Sequence, residues 1–395
     1  MKILMLNSLY PPDSIGGAEH TTSLLAEGLA EKGHDVKVVR VGPEDRSYVH
    51  KGVEVRVLHH RNVYWVHDGR RRRAPLRFLW KLGDIKNFPM TMALMNLFHQ
   101  YKPDIIHSHC ISGFSTDFFA AARRMGIPVV HTLREYYLLC ARSVMVHGGR
   151  RMNRQALKCK LYTWNKKKDV EKIDAVCSVS RATLEKHLQE GYFKKVPVKR
   201  VIYNPCPLPE SLPEMKDHGG PLRFAYLGRL VPSKGIGEMV EAFLNIGQAE
   251  LHFFGSSDPG YLDSLKKRVS GRKNIFFHPY TDRDEVYRDY CDILLFPVNW
   301  DEPLSNTIQE ARARGKYIIT TPFGGIPEAL EGYDKTRWLE ECSTEEIRSS
   351  CQGLVREREA VFADSDKRVK PSMETKAYVE AYEEVYREVT HGKKA

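Results

Sequence analysis

Short apolar runs, each followed by a helical stretch, recur along this chain and constrain its fold more than any other feature. Residues 2–7 form the first run. A loop with Pro11, Pro12, Gly16 and Gly17 follows, then a helical pattern over 18–32 with Leu24, Leu25 and Leu29 on one face. Gly33, His34 and Asp35 stop that helix, and 36–41 resumes a strand. Further β-rich runs stand at 104–107, 129–132, 175–179 and 200–202. Apolar strands separated by helices pair in parallel and are buried on both faces, so the expected class is α/β with a doubly wound sheet.

The alternation breaks once. Pro205, Pro207, Pro209, Pro213 and Pro221, with Gly219 and Gly220, exclude a helix or central strand over 205–221, which reads as a linker. Strands then restart at 222–227, 250–255, 274–277, 293–296 and 317–320. Two Rossmann-like domains are expected, 1–204 and 222–372. The chain's 395 residues suit two cores, because single cores rarely grow past ~250–300 residues. A last helical pattern carries Tyr378, Tyr382, Val385, Tyr386 and Val389 at helix spacing, and 373–395 is expected to pack back towards the N-terminal domain.

Composition removes several classes. With 42% hydrophobic and 28% charged residues, the chain is neither disordered nor fibrous. No apolar run approaches the ~20 residues that cross a bilayer; the longest, 88–98, is broken by Pro89, Thr91 and Asn96. The first residues read as a buried strand rather than a signal peptide, so a cytoplasmic location is expected. None of the eight cysteines forms a C-x-x-C pair, and no metal site is expected. Charge is uneven: residues 1–200 hold 35 Lys and Arg against 18 Asp and Glu, whereas 201–395 hold 26 against 32. Such asymmetry points one half at an anionic partner.

Four segments carry candidate chemistry. In WDEPLSNTIQEA, Glu302 precedes a helix expected to open near Leu304 or Ser305, and Glu310 falls about one and a half turns in. The first-turn N–H groups around Leu304, Ser305, Asn306 and Thr307 would meet an anion or sugar hydroxyls. Taken alone, such a Glu pair is more often a helix cap and a solvated acid. In YLGRLVPSKG, Arg229 and Lys234 follow a strand and precede a helix, a plausible diphosphate clamp or simply two loop cations. Gly16 and Gly17 follow the first strand without G-x-G-x-x-G spacing or an acid at the second strand end, which disfavours a nicotinamide site. His109 sits just past a strand's C-terminal end, where a lone histidine is more often structural.

In order along the chain, GGAE, DIIHSH, HTLREYYLLC, CSVSRAT, YLGRLVPSKG, EPLSNTIQEA and FGGIPE resemble the retaining nucleotide-sugar glycosyltransferases of the GT-B fold marked by a Glu-x(7)-Glu motif. The resemblance implies two Rossmann-like domains facing each other across a cleft. It implies a nucleoside-diphosphate sugar as co-substrate, UDP-sugar slightly ahead of GDP-sugar, and no other cofactor. Glu302 would lie beside the donor sugar and Glu310 would bind the ribose. Arg229 and Lys234 would neutralise the diphosphate, Gly16 and Gly17 would let their loop close on it, and His109 would contact the donor sugar. Pro279 and Tyr280 form a candidate base-recognition edge. The acceptor would be a glycan or glycolipid of surface-polysaccharide or lipopolysaccharide assembly.

The sequence departs from the family at Pro303 and Ser305, which replace usual glycines, and at Arg134 and Glu135, which replace a common His-Asp. Asp282 and Asp284 resemble a metal-binding D-x-D but stand at a helix start, where capping is the simpler role. Rivals on the same fold are a sugar-nucleotide epimerase and a phosphorylase; a non-catalytic nucleotide-sugar or membrane-binding module is the rival of another class.

The basic excess gathers in two clusters. Arg70, Arg71, Arg72, Arg73 and Arg77 lead through Trp80, and Lys166, Lys167 and Lys168 follow Tyr162 and Trp164. Cations mixed with aromatics suit an anionic membrane surface, giving a peripheral location at the inner face of the cytoplasmic membrane as the expectation. No nucleic-acid-binding motif accompanies them.

Overall fold

The computed structural model describes residues 1–13, 16–68, 72–147, 150–207, 216–279, 281–363 and 372–391. They divide into two compact units. One comprises 1–145, 152–204 and 373–395; the other comprises 146–151 and 205–372. The grouping departs from the expected division at 146–151, read from sequence as part of the first domain. Residues 208–215 of the expected linker and Tyr280 lie outside the described residues.

The first unit is built on a sheet of eight strands: β1 (Lys2–Leu6), β2 (Asp35–Gly42), β3 (Arg46–His50), β4 (Val53–His59), β5 (Ile105–Ser108), β6 (Val129–Leu133), β9 (Ala175–Ser178) and β10 (Val198–Val201). The short β7 (Val146–His147) and β8 (Arg150–Arg151) pair with each other. Sheet order is β10-β9-β6-β5-β1-β2-β4-β3. Every pair is parallel except β3 with β4. Strand order reverses between β1 and β5, so a crevice opens beyond their C-terminal ends, where open α/β sheets take ligands. The helix Gly17–Glu31 follows β1, and His109 follows β5.

The last helix, Thr375–His391, completes this unit's core. Tyr378, Val379, Tyr382, Val385, Tyr386 and Val389 pack with Ile3, Met5, Leu25 and Leu29. The helix crosses Gly17–Glu31 at Gly28, where an added Cβ would stand 2.6 Å from Val379 Cγ2, so only glycine permits this approach. Glu383 closes the contact: Lys32 Nζ donates to it at 2.5 Å, and His34 Nε2 lies 2.8 Å from its other oxygen.

The second unit has six parallel strands in the order β13-β12-β11-β14-β15-β16. These are β11 (Leu222–Leu227), β12 (Ala249–Phe254), β13 (Ile275–His278), β14 (Ile293–Phe296), β15 (Tyr317–Thr320) and β16 (Thr336–Trp338). Here order reverses between β11 and β14. Those two strands deliver the residues singled out from sequence: Arg229 and Lys234 follow β11, and Glu302 follows β14.

Candidate functional site

In the second unit the switch point gathers charge. β11 ends at Leu227, and the chain turns through Gly228 and Arg229 into a single 3-10 turn, Pro232–Lys234. Gly235, left-handed at φ 73°, caps the helix Ile236–Phe243. Lys234 Nζ is thereby turned onto Glu302, with which it forms an ion pair. It also lies 4.7 Å from the Trp300 ring centroid and 5.1 Å from that of Phe296. Burial lowers the pKa of Lys234, and the Arg229 charge adds to that, while the charge of Glu302 and its hydrogen bond act the other way. The exposed Arg229 and the largely buried Lys234–Glu302 pair therefore stand close enough for their charges to act on one another.

Glu302 is fixed through its backbone. It bridges to Gly324, and its carbonyl accepts from Gly325 N–H at 2.7 Å. At Gly324 (φ 67°) a Cβ would stand 2.2 Å from the Glu302 carbonyl oxygen, so the FGG segment is a backbone cradle for Glu302.

Ser305 caps the helix Asn306–Ala313, its Oγ accepting from Ile308 N–H at 3.3 Å. Leu304 and Ser305 are buried. Thr307 Oγ1 donates to the Leu227 carbonyl at 3.4 Å, tying the helix to the end of β11. One turn further in, Glu310 is buried against Arg283, with which it forms an ion pair, and Tyr287 OH lies 3.3 Å from its Oε2. Burial raises its pKa, against the opposing charges of Arg283 and Arg314. Asp282 Oδ1 accepts from the N–H groups of Asp284 (2.9 Å) and Glu285 (3.3 Å), and Asp284 pairs with Arg314. The D-x-D-like pair is engaged in capping and ion pairing. Pro279 is exposed just past β13.

In the first unit, Gly16 precedes the helix Gly17–Glu31 in extended backbone, and its N–H donates to Glu19 Oε2 at 2.9 Å. His109 is buried, and its tautomer follows from one contact. Arg134 Nε donates to His109 Nδ1 at 3.2 Å; a guanidinium only donates, so Nδ1 accepts and the ring proton sits on Nε2. Burial holds the ring neutral, helped by the charges of His107 and Arg134. Nε2 is a buried donor without a hydrogen-bond partner among the described residues.

Arg134 itself is a buried hub. Its Nη1 donates to Thr21 Oγ1 (2.7 Å) and Asn204 Oδ1 (2.9 Å), and its Nη2 to Tyr378 OH (2.6 Å). The departure from the family's histidine thus supplies the clamp that orients His109. Arg134→Met, which fills the space and removes the donors, is expected to cost about 2–4 kcal/mol, read as a lower denaturation midpoint.

Two members of the expected surface patch are interior. Trp80 is buried, its Nε1 donating to the Tyr64 carbonyl at 3.0 Å. Lys166 is buried 3.8 Å from Asp84, with its ammonium over the Tyr137 ring. Both complete local polar networks, which spacing in the sequence does not reveal. Arg72 pairs with Asp68 and lies over the Tyr64 ring, while Arg73, Arg77, Lys167 and Lys168 are exposed. Arg70 and Arg71 lie outside the described residues.

Sequence reading missed the groups that hold the acids and His109: Arg283 and Tyr287 for Glu310, the Phe296 and Trp300 rings around Lys234, and Arg134. Nothing in local spacing links Arg283 to a residue on another helix. Arg134 stood out in the sequence as a departure from the family's His-Asp, but nothing there tied it to His109.

Comparison with known proteins follows this division. Residues 16–207 match the model of the glycosyl transferase 4-like domain, and 212–362 match that of the glycosyl transferases group 1. A protein in the cps region of Klebsiella pneumoniae is 30% identical over 332 residues, covering 83% of this chain and 87% of the relative. An uncharacterized glycosyltransferase of Methanocaldococcus jannaschii is 25% identical over 366 residues, covering 86% and 85%. Among solved structures, sucrose-phosphate synthase of Thermosynechococcus elongatus is similar with a TM-score of 0.77 at 17% identity, covering 99% of both chains. HepE of Anabaena, solved with UDP-glucose, is similar with a TM-score of 0.68 at 15% identity, covering 98% of this chain and 100% of that one.

Proposed function

This chain belongs to the group 1 glycosyl transferases and has the GT-B fold, and from that premise we propose that its second unit binds a nucleoside-diphosphate sugar whose glycosyl group passes, with retention, to a hydroxyl acceptor. One observation carries the reading: at the switch point of the second sheet, Arg229, the Lys234–Glu302 pair and the start of the helix Asn306–Ala313 converge.

Breaking the bond between the anomeric carbon and the phosphate oxygen leaves negative charge on the phosphate. Arg229 and Lys234 meet that charge, and Lys234, already held by Glu302, favours the transition state over the ground state. The acceptor oxygen bonds to the anomeric carbon on the face the phosphate leaves, and its proton passes to the departing phosphate oxygen. Glu302 lies beside the sugar and keeps Lys234 charged. Glu310, with one oxygen held by Arg283, takes the ribose hydroxyls. The leaving-group charge is assigned to these two cations rather than to a metal.

The HepE structures with UDP and UDP-glucose favour UDP as the carrier. The Klebsiella relative's place in a cps region favours an acceptor in surface-polysaccharide assembly over lipopolysaccharide. A thermal-shift panel of UDP, GDP, ADP and NAD tests the donor site. UDP is expected to stabilise the chain by about 2–3 kcal/mol at a hundredfold excess over Kd, and Arg229→Ala to abolish the shift. A preference for NAD, or no diphosphate binding, overturns the site. The anomeric configuration of the product, read by NMR, tests retention.

A further inference from the structure

Apart from Val49 and Trp338, every large apolar side chain that stands exposed among the described residues falls in two stretches of the first unit, 63–92 and 157–164. On the helix Ala74–Ile85, Phe78, Leu79 and Leu82 line the side turned away from the buried Trp80 and Asp84, and Leu76 stands exposed one turn before Trp80. On Leu157–Thr163, Leu157, Leu161 and the capping Trp164 recur at i, i+4 and i+7, the spacing of a single face. The two helices touch: the Phe78 and Tyr162 rings are 6.4 Å apart, and Lys81 Nζ lies 5.3 Å from the Tyr162 ring centroid. Leu157 is 85% exposed and Leu161 68%, so both project into solvent.

Charge on these segments has one sign. Arg77, Lys158, Lys160, Lys167 and Lys168 are exposed, whereas the acids of 73–86 and 157–170, Asp84 and Asp169, are buried. The cations crowd one another: after burial, the charges of Arg142, Lys158 and Arg77 lower the pKa of Lys81. Protein interfaces deplete charge at their apolar centre. Lysines alternate with apolar residues along Leu157–Thr163, and Arg77 and Lys81 stand among the leucines of Ala74–Ile85, the pattern in which aliphatic groups enter an acyl boundary while cationic groups stay at headgroup level. Neither helix is long enough to span a bilayer, and no helix among the described residues is.

We propose that the paired helices Ala74–Ile85 and Leu157–Thr163 form a docking face for an anionic lipid bilayer. The inference stands independently of the transfer reaction. It moves the contact away from the arginine run and onto Phe78, Leu79, Leu82, Leu161 and Trp164.

The test is co-sedimentation of the full chain with phosphatidylcholine vesicles, with and without phosphatidylglycerol. The full chain is expected to bind the anionic vesicles. The variant Leu79→Ser/Leu161→Ser/Trp164→Ser is expected to lose about tenfold or more in affinity, and Lys158→Glu/Lys160→Glu about tenfold at low salt. These positions are exposed, so melting temperatures are expected to match the parent's. In the unaltered chain, anionic vesicles are expected to blue-shift a tryptophan component that Trp164→Phe removes. Absence of binding, equal binding to neutral vesicles, or unchanged binding by both variants overturns the proposal. Self-association that the serine variant abolishes, without vesicle binding, overturns it in favour of a face between copies of this chain.

Discussion

Replacing Lys234 by Ala should lower kcat for glycosyl transfer by about two to three orders of magnitude, the usual cost of losing a preorganised group aimed at developing charge. The residue is mostly buried beside two aromatic rings and pairs with Glu302, so the change removes a cation and strands an acid. The stranded carboxylate repels the departing phosphate, which makes Lys234→Ala worse than simple loss of a contact. A double change with Glu302→Gln separates the two effects. If the acid acts only as the lysine's partner, the double variant recovers part of the loss. If Glu302 also touches the sugar, the double variant is as inactive as Lys234→Ala or more so. Activity within tenfold of the parent in Lys234→Ala would remove this lysine from the mechanism. Donor affinity should fall less than kcat, because the cation is worth most when the bond breaks.

The second large effect is on stability. Four histidines of the first unit, His107, His109, His131 and His187, are buried and held neutral below their ordinary value of 6.5, His131 to about 3 and His187 to about 4, with desolvation the leading cause in each. In the unfolded chain they take up protons near 6.5, whereas the folded unit resists doing so. Folding therefore binds fewer protons below 6.5. Its stability is complete above that pH and is lost as pH falls towards the folded values. At pH 5 each such histidine costs about 2 kcal/mol. Denaturant melts from pH 7 to pH 5 should show a steep decline, and His187→Gln should flatten it. A flat profile over that interval would mean these rings are protonated in the folded state.

Much of the fold was legible in the sequence because parallel strands buried on both faces need near-continuous apolar runs. The expected strands at 222–227, 293–296 and 317–320 coincide with β11, β14 and β15. β3 was missed because it is a half-exposed antiparallel edge with a mixed pattern, RSYVH. β4 has the alternation of a strand in VEVRV, but it lies outside the strand–helix rhythm on which the reading relied. That Arg229 and Lys234 follow β11 and Glu302 follows β14 was legible because each comes soon after a short apolar run. Their partners were not, since Arg283 and Trp300 meet them only through tertiary packing. The basic clusters misled for a related reason. Sequence counts charges without telling which are internal, and Lys166 belongs to the core.

The helix Thr375–His391 has a consequence for how this chain is made. It closes the core of the first unit but is encoded after the whole of the second, so on the ribosome the first unit is translated long before it can be finished. Until residue 386 emerges, His107 lacks Tyr386 and Arg134 lacks Tyr378, leaving a charged and greasy trough open to solvent. A fragment ending at 204 should therefore behave as a client for chaperones rather than as a native domain. Joining 373–391 to it through a flexible linker should restore it.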